Sequence, residues 1–256
     1  MDHHPERWGE PQPQPRSRLA GSGATTHTQQ PMVTGTSVVG VKFSGGVMIA
    51  ADNLASYGSL ARYDDVERIV AVGESSVVGL GGDVGDMQYI WRMLDDLVLE
   101  QMYANDGHAL GATHVHEYLR NVLYARRSKM DPLWVAAVVG GMEKDSDEPF
   151  LAFADLKGTS YTAPHLATGF GAHLATPILR AAFKEDSDWR NLTEEAARKL
   201  MDECMRVLFY RDARSIDKYS LAIVTRSGTV HERGKRIEQQ SWAFAEGVRG
   251  YGAQVV

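Results

Sequence analysis

The chain has 256 residues, 43% hydrophobic and 23% charged, the balance of an ordinary globular protein with room for one large domain or two small ones. A formal net charge of -6 and a pI near 5.8 leave no basic surplus for nucleic acid, and the one compact basic run, Arg126-Arg127-Ser128-Lys129, reads as a solvated helix end. No apolar run reaches the roughly 18 residues that span a bilayer. The single cysteine, Cys204, can form no internal disulfide, which favours a reducing compartment and a packing role.

Residues 1–27 are dominated by His, Pro, Gln, Arg, Ser and Gly and have no apolar signal core. So few large apolar side chains cannot offset the entropy of ordering, so this leader is expected to be disordered or removed, and composition fits a propeptide as well as a plain tail. Fold reasoning therefore starts near Thr28. Val33 to Phe43 and Val47 to Asp52 read as apolar strands around a Ser44-Gly45-Gly46 turn, and Arg68 to Val72 with Ser76 to Leu80 repeats the pattern around Gly73-Glu74. Gly79-Leu80-Gly81-Gly82-Asp83 punctuates the chain. Asp83 is a candidate N-cap for a helix in which Met87, Ile90, Trp91, Leu94, Leu97 and Val98 recur at helical spacing.

A second helix is predicted from Thr113 to Ser128, followed by strands at Trp134 to Gly141 and Phe150 to Leu156 joined by the acidic turn Met142 to Glu148, and a short strand at Tyr161. Gly171 to Lys184 and Thr193 to Tyr210 read as helices, the latter opened by a weakened capping box, and Tyr219 to Thr225 with Thr229 to Glu232 closes the chain as a hairpin. Strands, paired helices, strands, paired helices and strands predict an α+β stack in which helices cover both faces of two packed sheets.

The Gly35-Thr36 step entering the first strand carries the chemical question. A threonine hydroxyl is a poor nucleophile unless a base takes its proton, and a threonine at a chain terminus can use its own amine. With residues still attached, that nitrogen is a planar amide whose lone pair is delocalised. The plainer reading makes Thr36 a β-branched strand residue. Other constellations are weak: His114 and His116 are two apart and fall on different helix faces, so no metal site is expected, and the glycines at 79–82 and 169–171 do not complete a dinucleotide loop, so no cofactor is expected.

Gly35 to Asp52, Gly81-Gly82-Asp83 before a long helix, Arg211-Asp212-Ala213-x-Ser215 and the order of elements together resemble a β-type subunit of the 20S proteasome, over essentially all of Thr28 to Val256. Thr28 to Ser37, Ser56 to Leu60, Arg126 to Trp134 and Met205 to Leu208 look more narrowly like the eukaryotic branch at the seventh β position of the ring. The resemblance implies the four-layer αββα sandwich of the N-terminal nucleophile hydrolases. In catalytic members the threonine at Thr36 is freed by autolysis, and Asp52, Asp212 and Ser215 match residues that support it. Two positions depart. The lysine beside the nucleophile falls on Arg68, which cannot shed a proton near neutral pH, and a hydroxyl-bearing residue falls on Phe170.

For this branch the resemblance also implies processing between His27 and Thr28, which leaves Thr28 to Gly35 attached to Thr36. The implied function is a non-catalytic, structural β subunit of the core particle, serving ubiquitin-dependent degradation carried out by sister subunits in the cytoplasm and nucleus. The implied division is a leader at 1–27, one domain at 28–240 and a C-terminal arm at 241–256 whose Trp242, Phe244 and Tyr251 anchor it to other subunits; composition alone fits an ordinary tail equally well. Implied partners are other α-type and β-type subunits, with assembly chaperones and regulatory caps acting indirectly, and no nucleic acid or membrane. Two alternatives are an active threonine endopeptidase with Thr36 exposed and, more remotely, a standalone binding module.

Overall fold

Strands that are apolar on both faces need cover on both sides, and the chain provides it in layers. The computed structural model describes residues 30–104, 106–107, 109–143, 146–239 and 241–243. In chain order the strands are β1 (Val33–Gly35), β2 (Val38–Phe43), β3 (Gly46–Asp52), β4 (Ala55–Tyr57), β5 (Leu60–Tyr63), β6 (Ile69–Val72) and β7 (Ser76–Asp83). Helices α1 (Val84–Ala104) and α2 (Ala112–Ser128) follow, then β8 (Val135–Met142), β9 (Pro149–Asp155), β10 (Ser160–Thr162) and β11 (His165–Ala167). The chain continues through α3 (Gly171–Leu174), α4 (Thr176–Ala182) and α5 (Glu194–Arg211) to β12 (Lys218–Thr225) and β13 (Gly228–Arg236).

One sheet runs β10-β9-β8-β7-β1-β4-β5, with β6 also on β7, and the other runs β11-β2-β3-β12-β13. Every residue of β3 is buried, and its side chains alternate between two cores. Val47 and Ile49 point between the sheets, where they join Val38, Ile69, Val77 and Val138. Met48 and Ala50 point the other way, toward Leu200, Cys204 and Leu208 of α5. On the far side of the larger sheet, Met87, Ile90 and Leu94 of α1 and Leu119 and Leu123 of α2 pack on Val78, Leu80 and Val139. The result is the predicted four-layer αββα order of the α+β class. Each fully buried aliphatic side chain contributes about 1.5–3 kcal/mol, so three such cores outweigh any single polar contact.

The caps hold as read. Asp83 Oδ2 accepts the Asp86 amide at 3.2 Å at the start of α1, and Thr193 Oγ1 accepts the Ala196 amide at 3.3 Å at the start of α5. Cys204 is buried in the core beside the smaller sheet, where burial pushes its thiol up to about 12.

Four expectations need correction. Val33 to Phe43 is not one strand: Gly35 pairs with Gly82 in the larger sheet, Val38 pairs with Ala51 in the smaller one, and the chain crosses between sheets at Thr36-Ser37. Apolar periodicity cannot register this, because both halves are strand. Gly81 to Asp83, read as punctuation, continues β7. The helix predicted from Gly171 to Lys184 is broken after Leu174, because Pro177 offers no amide and its ring crowds the carbonyl four residues back. The hairpin β4-β5, around Gly58 at φ 60°, has no apolar alternation to announce it.

Candidate functional site

A chain that leaves one sheet for another strands its backbone polar groups at the crossing, and buried carbonyls without donors are costly. Here Arg68, 1% exposed and just ahead of β6, supplies the donors. Its Nη1 donates to the carbonyl of Thr36 at 3.0 Å and its Nη2 to that of Ser37 at 3.0 Å. Nη1 also approaches the Leu80 carbonyl at 3.4 Å, while Nε donates to the Asp52 carbonyl at 2.8 Å. Nη2 closes the set with a short ion pair to Asp52 Oδ1.

Burial, only partly offset by the Arg68 guanidinium, pushes the Asp52 carboxyl up to about 6. Its other oxygen accepts the Ile216 amide at 3.4 Å. Gly35 exists at this point for a steric reason: a Cβ there would lie 2.4 Å from Arg68 Cδ. A Cβ on Gly81 would lie 2.6 Å from the Thr36 carbonyl oxygen.

Thr36 itself is half-buried, and its hydroxyl donates to Asp212 Oδ2 at 2.6 Å. Ser37 Oγ is 3.5 Å away and accepts the Gly171 amide at 2.8 Å. Thr168 Oγ1 accepts the Val38 amide at 2.9 Å, which fixes the first residue past the crossing. The bond to Asp212 orients the Thr36 hydroxyl, but a carboxylate is too weak a base to hold an alcohol's proton. At the crossing the nitrogen of Thr36 is a peptide amide to Gly35, and β1 just before it is paired on both sides, with β7 through Thr34 and Gly35 and with β4 through Val33 and Thr34.

The structure thus brings together Thr36, Asp52, Arg68 and Asp212. Ser215 is half-buried three residues past Asp212; its amide donates to the Asp212 carbonyl at 3.2 Å, and its hydroxyl takes no part in the contacts of Thr36 among the described residues. Phe170 stands 58% exposed at the mouth of a hollow of about 330 Å³ that Gly35, Thr36, Gly81 and Trp134 also line. Ser37 and Thr168 were missed by sequence reasoning, since a lone hydroxyl residue in an apolar strand has no signature; their roles depend on a chain crossing that periodicity cannot show. His27, Thr28, Phe244 and Tyr251 lie outside the described residues. Trp242 is 59% exposed, with its ring edge-on to Tyr210 at 6.1 Å. His116 packs inside α2 with Nε2 3.1 Å from the Phe153 carbonyl oxygen, and no group of metal-ligating side chains occurs among the described residues.

Comparison with known proteins places this geometry. Residues 32–224 match a family model described as proteasome subunit. The chain is 50% identical over 260 residues to the probable proteasome subunit beta type-7 of Schizosaccharomyces pombe, covering 98% of this chain and 97% of that protein. It is 45% identical over 267 residues to proteasome subunit beta type-7 of Saccharomyces cerevisiae, covering 100% of each. To proteasome subunit beta type-4 of Xenopus laevis it is 46% identical over 231 residues, or 90% of this chain and 93% of that one. The chain belongs to the proteasome subunit family.

Proposed function

We propose that this family member is a structural, non-catalytic β-type subunit of the 20S core particle, required to complete the ring while sister subunits cleave the peptides of ubiquitin-dependent degradation. The observation that carries the reading is the double pairing of β1. The residues ahead of Thr36 are woven between β7 and β4, and the Met32 amide donates a hydrogen bond to Asp83 Oδ1 at 2.9 Å. Releasing Thr36 would mean cutting the backbone next to a strand held on both edges.

Arg68 supports the same reading. Its guanidinium is committed to four carbonyls and one carboxylate, where a proton-shuttling amine would be needed. On this reading Thr36, Asp52, Arg68, Asp212 and Ser215 are vestiges, and the present work of the first four is to pin the crossing. The leader at 1–27 is removed between His27 and Thr28, residues 28–240 form the domain, and the arm from 241 to 256 reaches other subunits through Trp242, Phe244 and Tyr251.

The chain works beside other α-type and β-type subunits, with assembly chaperones and regulatory caps as indirect partners, in the cytoplasm and nucleus. No helix among the described residues is long and apolar enough to cross a membrane. Intact-mass measurement of the chain from purified particles tests the reading: a start at Thr28 supports it, and a start at Thr36 would make the chain a threonine endopeptidase instead.

A further inference from the structure

An aspartate can rearrange its own backbone when the next amide nitrogen is held by nothing else and has room to close a five-membered ring on the side-chain carboxyl. A following glycine favours this most, since it has no Cβ to shield the nitrogen. Asp106-Gly107 is the one place in the chain where an aspartate or asparagine precedes a glycine.

The step lies in the connection between Ala104, where α1 ends, and Ala112, where α2 begins, and both of its residues are exposed. Gly107 stands at φ 77°, in the left-handed region that glycine adopts without strain. Beyond its chain neighbours, no heavy atom lies within 4 Å of the point a Cβ there would occupy. Among the described residues, no hydrogen bond takes up the Gly107 amide.

Other aspartates lack one or more of these features. Asp95 and Asp96 are exposed, but they sit in the middle of α1, where the following amides are bonded to carbonyls one turn back. Asp155 Oδ1 already accepts the amides of Lys157 and Thr159, both at 2.9 Å, and Leu156 follows it. Asp186 lies in an exposed turn outside α4 and α5, yet Ser187 follows it with a Cβ. Asp186 is therefore the fair internal comparison.

We propose that Asp106 is a site of spontaneous isomerisation to isoaspartate. The Gly107 nitrogen attacks Cγ of Asp106: a C–N bond forms, one C–O bond of the carboxyl group breaks, and the amide proton leaves with that oxygen as water. Water then opens the succinimide ring. Cleavage between the nitrogen and Cγ restores aspartate. Cleavage between the nitrogen and the main-chain carbonyl carbon gives isoaspartate, whose backbone runs through Cγ and is one atom longer, with a free carboxylate where the main-chain carbonyl was. Only water is released and taken up again, so the product is an isomer of equal mass. The longer backbone leads into α2, whose first turn is set by the Gly111 amide on His114 Nδ1 at 3.2 Å and the Thr113 amide on Glu143 Oε1 at 3.1 Å. The change accumulates with time and not with turnover, so it marks the age of the molecule. It is independent of whether Thr36 is active.

The test holds purified particles containing the chain at neutral pH and physiological temperature for several weeks, with samples digested under mildly acidic conditions. Chromatography with electron-activated fragmentation separates isoaspartyl from aspartyl peptides. A second, equal-mass form of the Asp106 peptide is expected to rise with time, at least tenfold faster than any at Asp186. Gly107→Ala is expected to slow it at least fivefold. Asp106→Glu, which would have to close a six-membered ring, is expected to abolish it while keeping the charge of the connection. No rise at Asp106, equal rates at Asp106 and Asp186, or an unchanged rate in Gly107→Ala each overturn the proposal.

Discussion

The crossing at Thr36-Ser37 and the hairpin β4-β5 are close in sequence and opposite in character. At the crossing, Arg68 and Asp52 are 1% exposed and every donor of the guanidinium group that faces the chain meets an oxygen. At the hairpin, three large apolar side chains stand about half exposed, and an indole N–H nearby is buried with no acceptor among the described residues. The first region puts charge inside and satisfies it from within the chain. The second puts apolar surface outside. Burial of polar groups and exposure of apolar ones are the informative departures from the general rule, and the two regions show one of each.

The sharpest way to break the contrast is Arg68→Ala. It leaves the Asp52 charge and four backbone carbonyls with fewer donors, so a loss of about 3–5 kcal/mol is expected, read as a lower denaturation midpoint with an unchanged slope. A loss under about 1 kcal/mol would mean the node is no more than decoration. Gly35→Ala tests the same node by crowding. Its methyl would fall 2.4 Å from Arg68 Cδ, and overpacking of that kind costs about 1–3 kcal/mol in the same measurement.

Thr36→Ala removes the bond to Asp212 and the weaker contact with Ser37 Oγ, so about 1 kcal/mol is expected, with the peptidase activities of assembled particles unchanged. A particle that lost one of its activities with this variant would turn the vestige back into an active site. On the hairpin, Leu60→Ser should move the stability of the isolated chain by less than about 0.5 kcal/mol, since the side chain is 56% exposed. The smallest effect is expected at Cys204. Its thiol, pushed up to about 12 in a closed core, should resist alkylation at pH 8 in the native chain and react fully in denaturant.

Much of the architecture was legible because its signals are local. The valines and isoleucines of β2, β3, β7 and β8 announce strands buried on both faces, and the stripe from Met87 to Val98 announces α1, with Asp83 as its cap. The site was legible in its parts: Asp52, Arg68 and Asp212 do converge on the Thr36 crossing. What stayed hidden is spatial. The change of sheet between Gly35 and Val38 leaves no mark in a run that is β-forming throughout, and the duty of Arg68 toward four carbonyls cannot be inferred from residue types. Ser215 shows the reverse error. Its place in a motif suggested contact with Thr36, while only its backbone amide is engaged with Asp212.

The guanidinium of Arg68 also dates its own formation. Its acceptors come from Thr36 and Ser37 at the crossing, from Asp52 at the end of β3 and from Leu80 within β7, positions 12 to 32 residues away along the chain. Contacts that span long loops are closed after local hairpins and helices have formed, because the entropy of closure must be met first. The node is therefore expected to close late in folding. Its loss should leave the refolding rate nearly untouched and appear as faster unfolding, so that Arg68 acts as the latch that holds the finished sandwich shut.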